Sequence, residues 1–332
     1  MRFSLIPILM VSFYLGAGAV LAGDSVMGEW KGKLRGDDGV ERILEAQIVA
    51  EGGDRYRAVM RLDKDGAWNS GESAGRRKGE TVAFSGSLNL GQGSGGLCQL
   101  QGQIDSGGFR GKCAGADSTV RFSLTRMERC PPRLGAKPPD KAVVLFDGTG
   151  LESWMHRDGQ PAGWKLREDG SMEVTRGNIV TRRSFGDVHI HLEFRTPLMP
   201  EARGQARGNS GVYVQGRYEV QVLDSFGLEP MDNGCGGIYR IAAPRVNASL
   251  PPLQWQTYEI IFRAPRFDSS GSKTANAKIT VRHNGEVIHL DRELPRLTPG
   301  GVSNEESERG PLLLQDHRDS VQYRNIWVLP LD

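Results

Sequence analysis

The run Lys278-Ile279-Thr280-Val281-Arg282-His283-Asn284-Gly285-Glu286-Val287-Ile288-His289-Leu290 places an Asn-Gly pair between two stretches rich in β-branched and apolar residues. A two-residue hairpin turn needs positive φ at both central positions, and Asn-Gly is the pair that tolerates it best. The run therefore reads as two antiparallel strands. Working outward, similar strand patterns recur about every 8 to 12 residues after Cys130, and no helical periodicity of any length interrupts them. That spacing favours an antiparallel sandwich over a parallel α/β sheet.

The stretch Cys130-Pro131-Pro132-Arg133-Leu134-Gly135-Ala136-Lys137-Pro138-Pro139 can neither continue a helix nor donate fully to a ladder, so residues 131–140 are read as a linker. Upstream, residues 23–130 show short alternating runs, such as Tyr56-Arg57-Ala58-Val59-Met60, separated by Gly and Asp clusters. They predict a small all-β barrel or sandwich with an accessory or binding role. Downstream, residues 141–332 predict the larger β-sandwich. Residues 1–22 have a weakly basic start, an apolar run from Leu5 to Leu15, and Val20 and Ala22 at the small-residue positions of a cleavage site. This reads as a secretory leader and implies a periplasmic or extracellular protein. No later segment is apolar enough to insert stably in a membrane.

With 38% hydrophobic and 25% charged residues among 332, the composition is that of a globular chain, and a net charge of +2 with no basic cluster argues against nucleic acid as a partner. Oligomeric state is left open. Export permits disulfides among Cys98, Cys113, Cys130 and Cys235. Spacing suggests Cys98 with Cys113 across the turn Asp105-Ser106-Gly107-Gly108. Cys130 and Cys235 then either clip the linker to the second domain or stay free.

Side chains alternate across a strand, so Val188 to Arg195 puts Val188, Ile190, Leu192 and Phe194 on a core face and His189, His191, Glu193 and Arg195 on a polar one. Arg217 to Asp224 repeats the pattern, with Glu219 and Gln221 opposite Tyr218, Val220 and Val222. Gln315, His317 and Arg324 extend the polar inventory, and as neighbours these strands would line one groove. The spacing Glu219 to Asp224 invites a glycosidase carboxylate pair. Five strand steps, however, separate Cα atoms by roughly 16 Å and reverse the face, whereas retaining chemistry needs carboxyls about 5 to 5.5 Å apart and inverting chemistry about 6.5 to 9.5 Å. Glu219 with Glu193 from a neighbouring strand is geometrically easier. His189 and His191 are either metal ligands or a solvated face, and Trp154, Trp164, Trp255 and Trp327 are either core or sugar platforms.

From about Ala142 to Leu331 the chain resembles the 3-keto-disaccharide hydrolase family. The resemblance is carried by Leu145-Phe146-Asp147-Gly148-Thr149-Gly150-Leu151-Glu152-Ser153-Trp154, Glu193-Phe194-Arg195, Asn209-Ser210-Gly211-Val212, Tyr218-Glu219-Val220-Gln221-Val222-Leu223-Asp224, Gly237-Ile238-Tyr239, Trp255-Gln256-Thr257-Tyr258, His283-Asn284-Gly285, Gly310-Pro311-Leu312-Leu313-Leu314-Gln315-Asp316-His317 and Tyr323-Arg324-Asn325-Ile326-Trp327. It implies a concanavalin-A-like, laminarinase-type β-sandwich (a jelly roll). Gln215 departs from an expected Arg, and Arg318-Asp319-Ser320 replaces a Gly-containing turn.

The resemblance implies cleavage of 3-keto glycosides or disaccharides. A ketone at C3 acidifies the C2 hydrogen, and the C1 aglycone then lies β to the carbanion, so one base can drive elimination before water adds back. Glu219 or His317 is the expected base, Arg195 and Arg324 the expected clamps, and Asn209, Gln221, Tyr239, Gln315 and Glu193 the expected sugar-binding groups. The resemblance assigns no definite cofactor, and the enolate oxygen is stabilised either by a cation or by a hydrogen-bond donor. A divalent cation on Glu219, Asp224 or His317 would polarise the ketone, although no dense ligand motif is present. The competing expectations are a conventional glycoside hydrolase on unoxidised sugars and a non-catalytic carbohydrate-binding protein.

Overall fold

The computed structural model describes residues 24–36, 39–64, 67–91, 96–115 and 118–331, so the expected leader lies outside them. The protein is all-β. Among the described residues the only helical element is a 3-10 turn at Gly204–Ala206.

Eight antiparallel strands, from Gly28–Arg35 to Thr119–Met127, each pair with the next, and the last returns to the first to close a barrel. The first half is thus a barrel rather than a sandwich. Inward side chains such as Leu34, Leu44, Met60, Phe84 and Leu124 fill it, and the Phe109 ring lies 5.1 Å from those of Phe84 and Phe122. The Cys98–Cys113 disulfide is buried in this interior. Closing a loop of about 15 residues restricts the unfolded chain by about 3 kcal/mol. Replacing both cysteines with Ala is therefore expected to lower barrel stability by about that amount, measured by denaturant titration; an unchanged midpoint would remove this role. Cys130 and Cys235 are not bonded to each other. Cys130 is exposed, whereas Cys235 is buried in the sandwich with its thiol 3.2 Å from the Tyr258 hydroxyl.

The second half packs two sheets. One has five strands in the order Trp154–His156, Ile179–Phe185, Gly310–Leu314, Ser210–Val214 and Tyr218–Val222. The other runs Lys165–Leu166, Met172–Glu173, Gln322–Pro330, Val188–Arg195, Gln256–Arg263, Ala277–His283 and Glu286–Leu294, with Val143–Phe146 also paired to Gln322–Pro330. The predicted hairpin holds: Asn284 (φ 52°) and Gly285 (φ 89°) join the last two strands. Between the sheets, Val212, Tyr218, Val220 and Leu314 meet Ile190, Leu192, Tyr258 and Ile260 in one buried core.

The Pro-rich stretch lies against the outer face of the larger sheet. Gly135 N donates to Glu193 Oε1 (2.6 Å), and Ala136 O accepts from Asn325 Nδ2 (3.0 Å) and Trp327 Nε1 (3.3 Å). Arg133 reaches Glu259 at 3.4 Å. Beneath this strap His191 sits between Glu259 and Glu193 and stacks on Trp327 at 5.1 Å, while His189 Nε2 lies 2.6 Å from Glu259 Oε2. These histidines are bound by carboxylates and are not a solvated face.

Candidate active site

Strands Val188–Arg195 and Tyr218–Val222 belong to opposite sheets, so the polar faces read from sequence point away from each other. Glu193 alternates with core residues Leu192 and Phe194, and Glu219 alternates with Tyr218 and Val220. The two carboxylates are therefore separated by the sandwich, whose sheets pack about 10 Å apart. Glu193, Arg195 and Arg324 form a separate network. Arg324 Nε donates to Glu193 Oε2 (2.7 Å), Arg195 Nη2 donates to Asp169 Oδ2 (2.6 Å), and both guanidiniums lie over Trp255. Burial pushes the Glu193 carboxyl up, but hydrogen bonds from His191, Asn325, Gly135 and Arg324 together outweigh it and hold the pKa at about 2. Trp154 and Trp164 are core, their indoles donating to Leu145 O and Gly177 O. Trp327 is buried under the strap.

On the outer face of the five-stranded sheet the sequence-named residues do converge. Glu219 stands opposite Tyr213, and Gln221 opposite Gly211, on paired strands. Glu219 is 3% exposed. Burial raises its pKa to about 7, and neighbouring Tyr213, whose hydroxyl donates to Pro299 O (3.0 Å), opposes that rise only in part. Tyr213 in turn is pushed up by burial and by the Glu219 charge. The two ends of the Gln221 amide lie 2.9 Å from Glu219 Oε1 and 2.9 Å from Gln205 Oε1. With its nitrogen toward Glu219, it donates to the carboxylate and to Ser210 O (3.1 Å).

Asn209 Nδ2 donates to Gln205 O (2.7 Å) and Oε1 (3.2 Å), and Gln315 Nε2 donates to the Tyr213 hydroxyl (3.2 Å). The remaining amide oxygens, Asn209 Oδ1 and Gln315 Oε1, are buried and have no partner. A buried acceptor without a donor is costly, and a sugar hydroxyl would supply one. Gly211 is required by close approach, because a Cβ there would lie 2.3 Å from Glu219 Oε1. Gly211→Ala is expected to displace the carboxylate and lower kcat/KM about tenfold or more while the circular-dichroism spectrum stays that of the parent. Unchanged kinetics would show that Glu219 does not need this placement.

The other sequence candidates stand apart. Asp224 is locked in a buried pair with Arg207 Nε (2.7 Å), so it is neither a second catalytic carboxylate nor a free metal ligand. His317 is exposed, with no hydrogen-bond partner among the described residues, two positions beyond Gln315. Glu219, Asp224 and His317 do not form a ligand set, and no group of three or more His, Cys, Asp or Glu suited to a metal occurs among the described residues. Gln215 sits in the hairpin before Tyr218 at φ 53°, donating to Phe185 O and Glu308 O, so this departure shapes a turn. In the second departure, Asp319 Oδ2 accepts from Asn209 N (2.7 Å) and braces the site. Sequence reading missed Tyr213, Gln205, Asn233, whose carbonyl accepts from Gln205 Nε2 (2.8 Å), and Thr298, whose hydroxyl accepts from Glu219 N (2.9 Å). Tyr213 alone had a signal, as the outward residue between core-facing Val212 and Val214.

The β-sandwich presents one buried carboxylate among amides and tyrosines, which fits the glycosyl-hydrolase-like, carbohydrate-active character of the family and of a solved neighbour. The chain belongs to the family of 3-keto-alpha-glucoside-1,2-lyase-like domains, whose model matches residues 141–329. A solved structure from Parabacteroides distasonis ATCC 8503, described as a candidate glycosyl hydrolase, is 35% identical over 58% of this chain and 85% of its own, with a TM-score of 0.54. A second from the same organism, described the same way, is 19% identical over 57% and 94%, with a TM-score of 0.44. A redesigned β-barrel is 20% identical over 31% and 92%, with a TM-score of 0.26. No curated protein matches the chain.

Proposed function

We propose that the protein cleaves 3-keto glycosides with Glu219 as the general base. The observation that carries this reading is the isolation of Glu219. Its pKa is set by burial and Tyr213, with no neighbouring carboxylate contributing, while Asp224 is bound by Arg207 and Glu193 lies across the sandwich. Ordinary glycosidase chemistry needs two carboxyls flanking one bond; elimination next to a ketone needs one base. The ionised Glu219 removes the C2 proton, and the C2 electrons form the enolate of the C3 ketone. The enolate collapses with loss of the C1 aglycone, which takes the proton now on Glu219 and leaves as its alcohol, and water then adds its oxygen at C1 and a proton at C2 to give the free 3-keto sugar. The Gln315 amide, which has a second N–H beside the one given to Tyr213, and the Gln221 amide are the donors offered to the enolate oxygen. Asn209, Gln315 and Tyr239 are the groups offered to the sugar hydroxyls. The Cys98–Cys113 disulfide supports an oxidising compartment, periplasmic or extracellular.

The test is nitrophenol release from paired nitrophenyl glucosides, one plain and one oxidised at C3, with and without chelator. Release from the oxidised substrate alone supports the reading, and loss on chelation would add a divalent cation. Release from the plain glucoside overturns it in favour of a conventional glycosidase, and binding without release favours a sugar-binding protein.

A further inference from the structure

We propose that the barrel is a working part of the sugar site, its wall at Val49–Glu51 fixing, through Arg203 and Arg207, the turn from which Gln205 holds Asn209 and Gln221. This rests on the reading of the Glu219 face as the site.

Gln205 is the hub of that face. Its backbone oxygen accepts from Asn209 Nδ2 (2.7 Å), and its side-chain amide lies 2.9 Å from that of Gln221 and 2.8 Å from Asn233 O. Yet Gly204–Ala206 buries no residue and has no side-chain cap, so the sandwich core does not hold it. The arginines on either side do, and both reach the barrel. Arg203 Nη2 donates to Glu51 O (2.9 Å), and Arg207 Nη1 and Nη2 each lie 3.4 Å from Ala50 O while Nε holds Asp224. Leu198, just upstream, packs on the barrel interior.

The segment following the catalytic strand docks on the same wall. Arg57 Nη1 donates to Gly227 O (3.1 Å), and a Cβ on Gly227 would lie 2.6 Å from Val49 Cγ2. The two segments that bracket the site, one before Asn209 and one after Val222, are thereby clamped to one barrel surface and tied to each other by the Arg207–Asp224 pair. Ordering an exposed turn in advance removes an entropic cost that a ligand would otherwise have to meet on binding. Arg207 is in this sense a positioning residue, and the barrel is not a detachable module.

The test uses full-length protein with Val49→Phe, which crowds Gly227 from the barrel side, and the milder Arg57→Ala, which keeps the question answerable should the first fail to fold. Amide exchange and steady-state kinetics on the nitrophenyl 3-keto-glucoside are measured together. The expected result is faster exchange confined to residues 204–209 and 224–229, unchanged exchange in Gln256–Arg263, and KM raised about tenfold with kcat changed much less. General destabilisation would instead lower kcat by removing active molecules and leave KM alone, and that outcome, or parent-like exchange in both variants, overturns the proposal. If the parent protein does not turn over the keto substrate, the proposed reaction fails. The exchange pattern then still decides whether the barrel holds the turn.

Discussion

Glu219→Gln is expected to lower kcat/KM on a 3-keto glycoside by about 10²–10⁴, the usual contribution of a positioned general base, with sugar binding retained because the amide keeps the shape. The parent enzyme should show an acidic limb in kcat/KM near pH 7, since Glu219 must be ionised to accept the C2 proton and its pKa is about 7. Activity then rises with pH through that value. The same group predicts an opposite trend in stability. Its pKa is raised from 4.5 on folding, so its contribution is complete below about 4.5 and is lost as pH rises through about 7. At pH 8 the buried carboxylate costs roughly 3 kcal/mol relative to a neutral group. Glu219→Gln should therefore melt higher than the parent at pH 8 and about equally at pH 4. A variant that loses activity without gaining stability at high pH would mean that Glu219 is not held in the buried state described.

The second large effect lies on the other face. Glu193→Ala leaves Arg324, the Gly135 amide and His191 without their shared acceptor, and breaking such a buried network by removing one partner costs about 3–5 kcal/mol. Denaturant titration should show that loss, while turnover per folded molecule stays that of the parent. Arg324→Met is expected to give the same dissociation of stability from activity. A folded Arg324→Met protein with turnover reduced a hundredfold would restore the sequence-based view of Arg324 as a substrate clamp. The cluster also has a pH signature. Glu193 and Glu259 are both held at about 2, where hydrogen bonds and charges from His191 and other partners outweigh burial, so their contribution is present above about 4.5 and lost as pH falls toward 2. His191 is lowered by burial but raised more by its two carboxylate neighbours. Its contribution is complete below about 6.5 and fades as pH rises through its higher folded value. The strap over the sheet should therefore be tightest between about pH 4.5 and 6.5.

The alternation in Val188–Arg195 and in Arg217–Asp224 was readable, because a two-residue period and a burial pattern are local properties. The sheet to which each strand belongs was not, because that depends on pairings such as His191 with Trp327, 136 positions apart. Hence Glu219, Gln221, Asn209 and Gln315 lie together on one face, while Glu193, Arg195 and Arg324 lie on the opposite one. The Asn284-Gly285 turn was legible from two residues. The contact of Tyr213 with Glu219 required the register of a hairpin that no residue pattern specifies. The Pro-rich stretch was recognised as non-helical and non-strand, but proline content says nothing about what a segment covers. Its place over the His191 cluster depends on Gly135 and Ala136, whose backbone groups leave no mark in the sequence.

Strand Gln322–Pro330 lies in the middle of the larger sheet and pairs with Met172–Glu173, Val188–Arg195 and Val143–Phe146. The barrel, by contrast, is a succession of hairpins between neighbours along the chain, closed by a single long-range pairing. During synthesis the barrel has all its strands once Met127 has emerged, whereas the sandwich must wait for nearly two hundred further residues before its central seam can form. The two halves are thus expected to acquire structure at different times, the first quickly and the second slowly, with sandwich hairpins exposed in the interval. That delay makes the second half the part most dependent on holding factors and most prone to aggregate on refolding.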